Sequence, residues 1–254
     1  VAAVRAAVGL LEGKMRRPTV LALVGILFLV VACSPFGVIR GTGPTVSRDF
    51  PVEGFSAVQA ANGFDVTITQ GEAYSVTVIA PESLFRYLDV ARSGNTLRLR
   101  LAPGRSYLVG PSNLRAQVTM PTLDGVRLSG ASQITAAGFG FTPDFEAELS
   151  GASRLEGEFE ASDVRLTLSG GSRLNLAGQT DRLVIDGSGG SEINLTRFLA
   201  SVASVELSGG STATINVTEE LEYDLSGGSR LRYAGGPSIT DAEASGGSQA
   251  IPEG

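Results

Sequence analysis

The sequence predicts an all-β chain folded as a right-handed parallel β-helix, with rungs of about nineteen residues behind an N-terminal β-rich cap. Three observations predict it. The tetrapeptide Ser-Gly-(Ala or Gly)-Ser recurs at 129–132, 150–153, 169–172, 188–191, 208–211, 226–229 and 245–248. The residues flanking each copy alternate apolar and polar in shared columns, the period of a strand with one buried face. A unit this short cannot bury its apolar face alone, so successive units must stack and share one core. Parallel crossovers turn right-handed, which sets the expected hand.

At the N-terminus, Met15-Arg16-Arg17 opens a basic stretch before the apolar run Val20–Val31, which ends in Val30-Val31-Ala32-Cys33. A positive start and an apolar run of twelve residues read as a signal peptide over 15–33; the run is shorter than the ~20 residues that span a bilayer. The small residue before Cys33 resembles a bacterial lipobox, so Cys33 is the expected site of lipidation. Acyl chains contribute about 0.8 kcal/mol per buried CH₂, enough for several chains to hold a protein at a membrane. Residues 1–14 read as an upstream extension, with translation starting at Met15. The Gly-, Pro-, Ser- and Thr-rich stretch 34–47 is expected to tether lipid to fold.

Residues 48–120 are expected to form the cap or early rungs. Alternation marks strands at 64–70, 74–79, 96–101 and 114–120, with turn signals at Gln70-Gly71-Glu72 and Ser93-Gly94-Asn95. Pro81 to Leu88 suits one short helix with Pro81 in its first turn. A cap is needed because an open β-helix end exposes unpaired strand edges.

The repeat region occupies 121–254. Its first inward column reads Val126, Ala147, Leu166, Ile185, Val205, Tyr223, Ala242, and its second Leu128, Leu149, Leu168, Gly187, Leu207, Leu225, Ala244. After each corner a third column reads Ile134, Leu155, Leu174, Ile193, Ala213, Leu231, Ala250. The stretch Ala177–Thr180 reads as a looser connection between strands. Corner glycines supply the backbone freedom of a tight turn, corner serines bond turn backbone, and Asn175 and Asn194 align as a short amide ladder.

Composition restricts the chemistry. The 254 residues carry no His, so Ser-His-Asp triads and His-ligated metals are out of reach. A single Cys forms no internal disulfide or thiolate cluster. Net charge is −6, and residues 34–254 alone hold 16 Arg, no Lys and 25 acidic residues, which disfavours nucleic acid as a partner. No cofactor is expected.

Together the lipobox, Phe55-Ser-Ala-Val58, Gly63-Phe-Asp-Val-Thr-Ile-Thr-Gln-Gly71, Ser75-Val-Thr-Val78, Asn95-Thr-Leu-Arg-Leu99, Val118-Thr-Met-Pro121 and the serial Leu-Ser-Gly-(Gly/Ala)-Ser repeats resemble one family. It is the family of bacterial envelope proteins termed auto-transporter adhesin, head GIN domain, and the likeness covers about residues 48–250. The resemblance implies a β-helical fold and an adhesive role. Gly187 departs from a column of Leu, and Ala242, Ala244 and Ala250 weaken the last copy as an end rung would.

The expected function is therefore a non-enzymatic, lipid-anchored cell-envelope module, extracytoplasmic, that binds an envelope glycan or matrix protein or serves as a spacer. A polysaccharide-active enzyme is the alternative, but no insertion looks long enough to build a cleft. A weak calcium-binding module is the other. Its candidate ligands are Asp186, Glu206 and Asp224, stacked in one outward column, with Glu192 across the corner from Asp186. Arg154 and Arg230 relieve Glu148 and Asp224 across their corners, whereas Asp186, Glu192 and Glu206 have no basic neighbour. Phe139, Phe141 and Phe145, between the first two copies, are a further candidate contact, or pack over the core edge.

Overall fold

The structure, a computed structural model, describes residues 37–110 and 113–253. The chain divides into two compact units, Val1–Val38 and Ile39–Gly254. The second carries the fold, and the lipobox, Cys33 and residues 1–33 as a whole lie outside the described residues. Among the described residues no helix is long and apolar enough to cross a membrane. Of the described residues, 65% are in strands and 3% in helix, in a β-solenoid of about seven turns whose strands stack in parallel about 19 residues apart.

The N-terminal elements are β1 (Ile39–Arg40), β2 (Thr45–Asp49), β3 (Ala57–Ala60), β4 (Phe64–Gln70), β5 (Ser75–Pro81), a 3-10 helix (Glu82–Tyr87), β6 (Leu88–Ser93), β7 (Thr96–Leu101), β8 (Tyr107–Leu108) and β9 (Leu114–Met120). The solenoid continues through β10 (Gly125–Leu128), β11 (Gln133–Ala137), β12 (Phe141–Leu149), β13 (Arg154–Leu168), β14 (Arg173–Gly187), β15 (Glu192–Leu207) and β16 (Thr212–Leu225). It ends in β17 (Arg230–Ala234), β18 (Ser238–Ala244) and β19 (Gln249–Pro252).

All three inward columns are realised residue by residue. Val126 pairs with Ala147, Ala147 with Leu166, Leu166 with Ile185, Ile185 with Val205, Val205 with Tyr223 and Tyr223 with Ala242. Register is strict because a slip of one residue would turn every apolar side chain to water. Gly187 is the instructive exception. A Cβ there would lie 2.7 Å from Leu207 Cδ2 and 3.3 Å from Ile193 Cδ1, so neighbouring side chains fill the place a Leu would take. The last rung is thin, as its alanines imply: every residue of β18 is exposed.

Ala177–Thr180 is not a loose connection. It lies within β14 and pairs with Glu158–Ala161 on one side and with Arg197–Ala200 on the other. The alternation of buried and outward residues breaks at Ser162-Asp163, at Ala177-Gly178 and Asp181-Arg182, and at Thr196-Arg197 and Ser201-Val202, where two consecutive residues lie outside the buried set. Gly178 stands between Phe159 and Phe198 in register, at φ +126°, with Phe159 O where a Cβ would go. The rings of Phe159 and Phe198 meet across it at 5.8 Å, and Phe145 stacks on Phe159 at 4.1 Å. Of the three aromatic residues noted between the first copies, Phe145 is core, Phe139 is half-buried and Phe141 is exposed.

In the cap, chain order is not spatial order. β3 and β4 form a rung that pairs in parallel with β10 and β11. β7 and β9, later in sequence, stack on its other side. Antiparallel strands then close the edge: β6 covers β7, and β5 covers β9 with β2 outside it. An antiparallel edge that ends in short strands blocks further parallel stacking. The short helix begins at Glu82, and Pro81 precedes it as the last residue of β5, because its fixed φ suits a helix entry and it has no N–H to lose. Ordered strands reach back into the expected tether, since β1 pairs with β8 and β2 with β5.

Candidate functional site

The site is built from the corner that the repeats share. In each copy both central residues have positive φ, from Gly130 and Ala131 at 61° to Gly227 and Gly228 at 67° and 86°. That is the type I′ geometry of tight β-turns. The two central positions are not equivalent. A Cβ on the first would sit 2.8–3.2 Å from the backbone nitrogen of the corner before it, whereas the second, at Gly171, Gly190 and Gly210, meets nothing within 4 Å. Alanine therefore appears only in the second position, at 131 and 152. The closing serines from Ser132 to Ser229 are buried, and Ser153, Ser172, Ser191, Ser211 and Ser229 each donate their hydroxyl to the carbonyl of the opening serine at 2.7–2.9 Å.

The stack of corners starts at Asn62-Gly63, both with positive φ. Asn62 can carry a side chain in the first position because the layer before it, β7 to β9, has no such corner. Its Oδ1 instead accepts the Leu101 N–H at 3.0 Å. In place of the corner the chain runs out along residues 102–110, and this stretch walls a recess of about 600 Å³ against the corners of the next two rungs. This stretch corrects the expectation that no insertion is long enough to build a cleft. The signal was present in Pro103-Gly104-Arg105-Ser106-Tyr107, which interrupts the alternation between β7 and β9.

The wall is held from behind. β1 pairs with β8, and the Ile39 N–H donates to Ser106 O at 2.9 Å. Tyr107 donates its hydroxyl to Ala102 O at 2.9 Å, its ring meets Tyr87 edge-on at 6.0 Å, and the Arg105 guanidinium lies 5.5 Å from the Tyr87 ring centre. Burial pushes the Tyr107 phenol above its ordinary value of 10.0; Arg105 opposes the shift and Tyr87 adds to it. Tyr107 is thus a neutral hydroxyl at physiological pH. Asn62, Asp65, Arg105 and Gln133 line the recess with the Tyr107 side chain, over a floor of corner backbone at Gly63 and Gly130.

The predicted outward column is also formed. Asp186 pairs with Glu206, Glu206 with Asp224 and Asp224 with Glu243. Glu192 does not join it. The register sets Glu192 beside Arg173 of the preceding rung, and the two form an ion pair at 3.0 Å. Glu148 likewise pairs with Arg127 at 3.1 Å and Asp163 with Arg182 at 2.7 Å. Charge relief runs along the stack, not across the corner, because stacked residues lie about 4.8 Å apart while side chains across a turn diverge. Being exposed, each such pair contributes at most about 1 kcal/mol. Among the described residues no group of three or more Asp, Glu, Cys or His converges as a metal-ligand set. Like charges directly opposite destabilise by a few tenths of a kcal/mol or more, so Glu206→Gln is expected to raise the melting temperature by about 1–2 °C. A fall on differential scanning calorimetry would mean the column is held by something other than solvent. Asn175 and Asn194 pair in register, but Asn194 Oδ1 accepts from the Thr196 N–H and hydroxyl, so its amide serves its own strand.

The fold and recess define a capped parallel β-solenoid whose corner edge carries a walled depression lined by both polar and apolar groups. A family model described as putative auto-transporter adhesin, head GIN domain, matches residues 54–237, and the chain belongs to that family. Among solved structures it is similar to a putative adhesin from Bacteroides fragilis, at 18% identity and TM-score 0.75, over 84% of this chain and 97% of that one. A putative lipid binding protein from Parabacteroides distasonis is 17% identical with TM-score 0.68, over 86% and 100% of the two chains. A putative adhesin from Parabacteroides merdae is 16% identical with TM-score 0.66, over 85% and 99%. At these identities the likeness is one of fold. No curated protein matches the sequence.

Proposed function

We propose that this protein is a non-enzymatic, lipid-anchored module of the bacterial cell envelope that binds a partner outside the membrane. Membership of an adhesin family supports a surface location and an adhesive role. The observation that carries the reading is the recess walled by residues 102–110, a depression held by β1 and the aromatic contacts of Tyr107, on a scaffold whose rungs bond to one another in parallel register. The first described strand begins at Ile39, six residues after Cys33 in sequence.

Glycoside hydrolysis needs paired carboxylates on either side of the scissile bond, about 5–9.5 Å apart, and a lyase would instead need a cation site with a basic residue as base. Among the residues lining the recess Asp65 is the one carboxylate, which supports binding over hydrolysis. Cys33→Ser is expected to move the protein from the membrane fraction to the soluble fraction with an unchanged far-ultraviolet circular dichroism spectrum. Retention of Cys33→Ser in the pellet after a carbonate wash would refute the lipid anchor.

A further inference from the structure

We propose that the recess walled by residues 102–110 is a saccharide site that takes one uncharged pyranose ring of a glycan. The inference deepens the binding reading above and is independent of the lipid anchor. It rests on what the recess presents. Asp65 and Gln133, both beside the corner, bring a carboxylate and a carboxamide to the same depression, and Arg105 faces it from the inserted wall. Asn62 spends its oxygen on Leu101 N–H, which leaves its amide N–H groups as donors. Among the described residues neither Asp65 nor Arg105 has a partner at ion-pair distance.

A sugar hydroxyl is both donor and acceptor. It is best met by planar groups that accept on one edge and donate on another, as this set does. Asp65 opposes a phosphate or carboxylate ligand, and Arg105 opposes a bare cation, so the pair selects an uncharged polar ligand. The floor is corner backbone: Gly63 meets nothing within 4 Å of a Cβ position, and at Gly130 the nearest atom is backbone. Tyr107, whose hydroxyl is already spent on Ala102 O, and Val109 line the recess as well, adding apolar surface that suits the C–H groups of a pyranose. A volume of about 600 Å³ lies within the usual range of small-molecule sites, about 300–1,000 Å³.

The test uses the full chain carrying Cys33→Ser, with the methyl glycosides of glucose, galactose, mannose and N-acetylglucosamine as probes. Saturation-transfer NMR and calorimetry are expected to show binding of at least one of them, weakened about tenfold or more by Asp65→Ala and by Gln133→Ala. Both positions point outward from paired strands, so melting temperatures near the parent's are expected to show that the variants fold. The remote Glu206→Gln is expected to bind as the parent does. Absence of binding for all four glycosides would overturn the proposal, as would binding that Asp65→Ala and Gln133→Ala leave unchanged. Inorganic phosphate bound in place of any glycoside would likewise overturn it. Adhesion of cells or matrix to the parent protein that survives Asp65→Ala would retain the binding module and reject the saccharide site alone.

Discussion

Leu168→Asp is expected to lower the melting temperature by about 10 °C or more, or to abolish cooperative folding. Leu168 is fully buried and stands between Leu149 and Gly187 in the inward column. Deleting a buried Leu side chain costs about 2–5 kcal/mol through lost transfer energy and the cavity left behind. A carboxylate in its place has no partner in that column, whose members are apolar, and an unpaired buried charge adds several kcal/mol. A domain of this size is stable by only about 5–15 kcal/mol. Each rung touches its neighbours alone, so the damage should begin locally. Amide exchange is expected to accelerate first in β12, β13 and β14. A melting temperature within about 2 °C of the parent would mean that Leu168 does not face the core and that the register is wrong.

Gly170→Ala and Gly171→Ala form the second test, in which adjacent glycines with similar backbone should behave differently. Both lie in the left-handed region, at φ 65° and 74°, where a Cβ costs about 1–2 kcal/mol. At 170 the Cβ would also stand 3.0 Å from the Gly151 nitrogen, while at 171 nothing lies within 4 Å. The atom in the way is backbone held in a stack, so relief requires opening the spacing between rungs. Gly170→Ala is expected to cost about 2–4 kcal/mol and Gly171→Ala about 1, a difference of several degrees in melting temperature. The natural chain already tolerates Ala at 131 and 152, the positions equivalent to 171. Equal losses in the two variants would show that conformational strain alone governs the corner and that the stacking contact is unimportant.

The tests of the proposed lipid anchor, the proposed saccharide site and the Glu206 column differ in kind from these two, because none of them changes the core. The proposed anchor would depend on a segment before Ile39, and the proposed saccharide site on outward residues around one insertion. A protein of this construction can vary its recess without altering the stack. Corner serines and glycines satisfy the backbone within each rung and between rungs, and the insertion replaces the corner only where the stack ends, at β7 and β9.

Much of this architecture was legible in the residues. The repeat spacing gave the rung, and the apolar columns gave the register, down to pairs such as Leu166 with Ile185. The strands at 64–70, 96–101 and 114–120 appear with those bounds. These features are local or periodic: alternation encodes a buried face directly, and a fixed repeat implies that equivalent residues lie one above another. The acidic column at Asp186, Glu206 and Asp224 was legible for the same reason.

What only the tertiary structure decided is where chain order and spatial order part. That β7 and β9 lie outside β3 and β4 cannot be read from alternation, since a strand pattern states which face is buried but not which strand is its neighbour. Arg173 reached Glu192 by that same neighbour relation, and Phe145 entered the core because Phe159 was stacked above it. The recess followed suit. Asn62, Asp65, Arg105 and Gln133 span some seventy residues of sequence and share no motif. They meet because an antiparallel edge ended the stack, removed one corner and left its place to an insertion, and that outcome is set by which strand edges pair, not by any single segment.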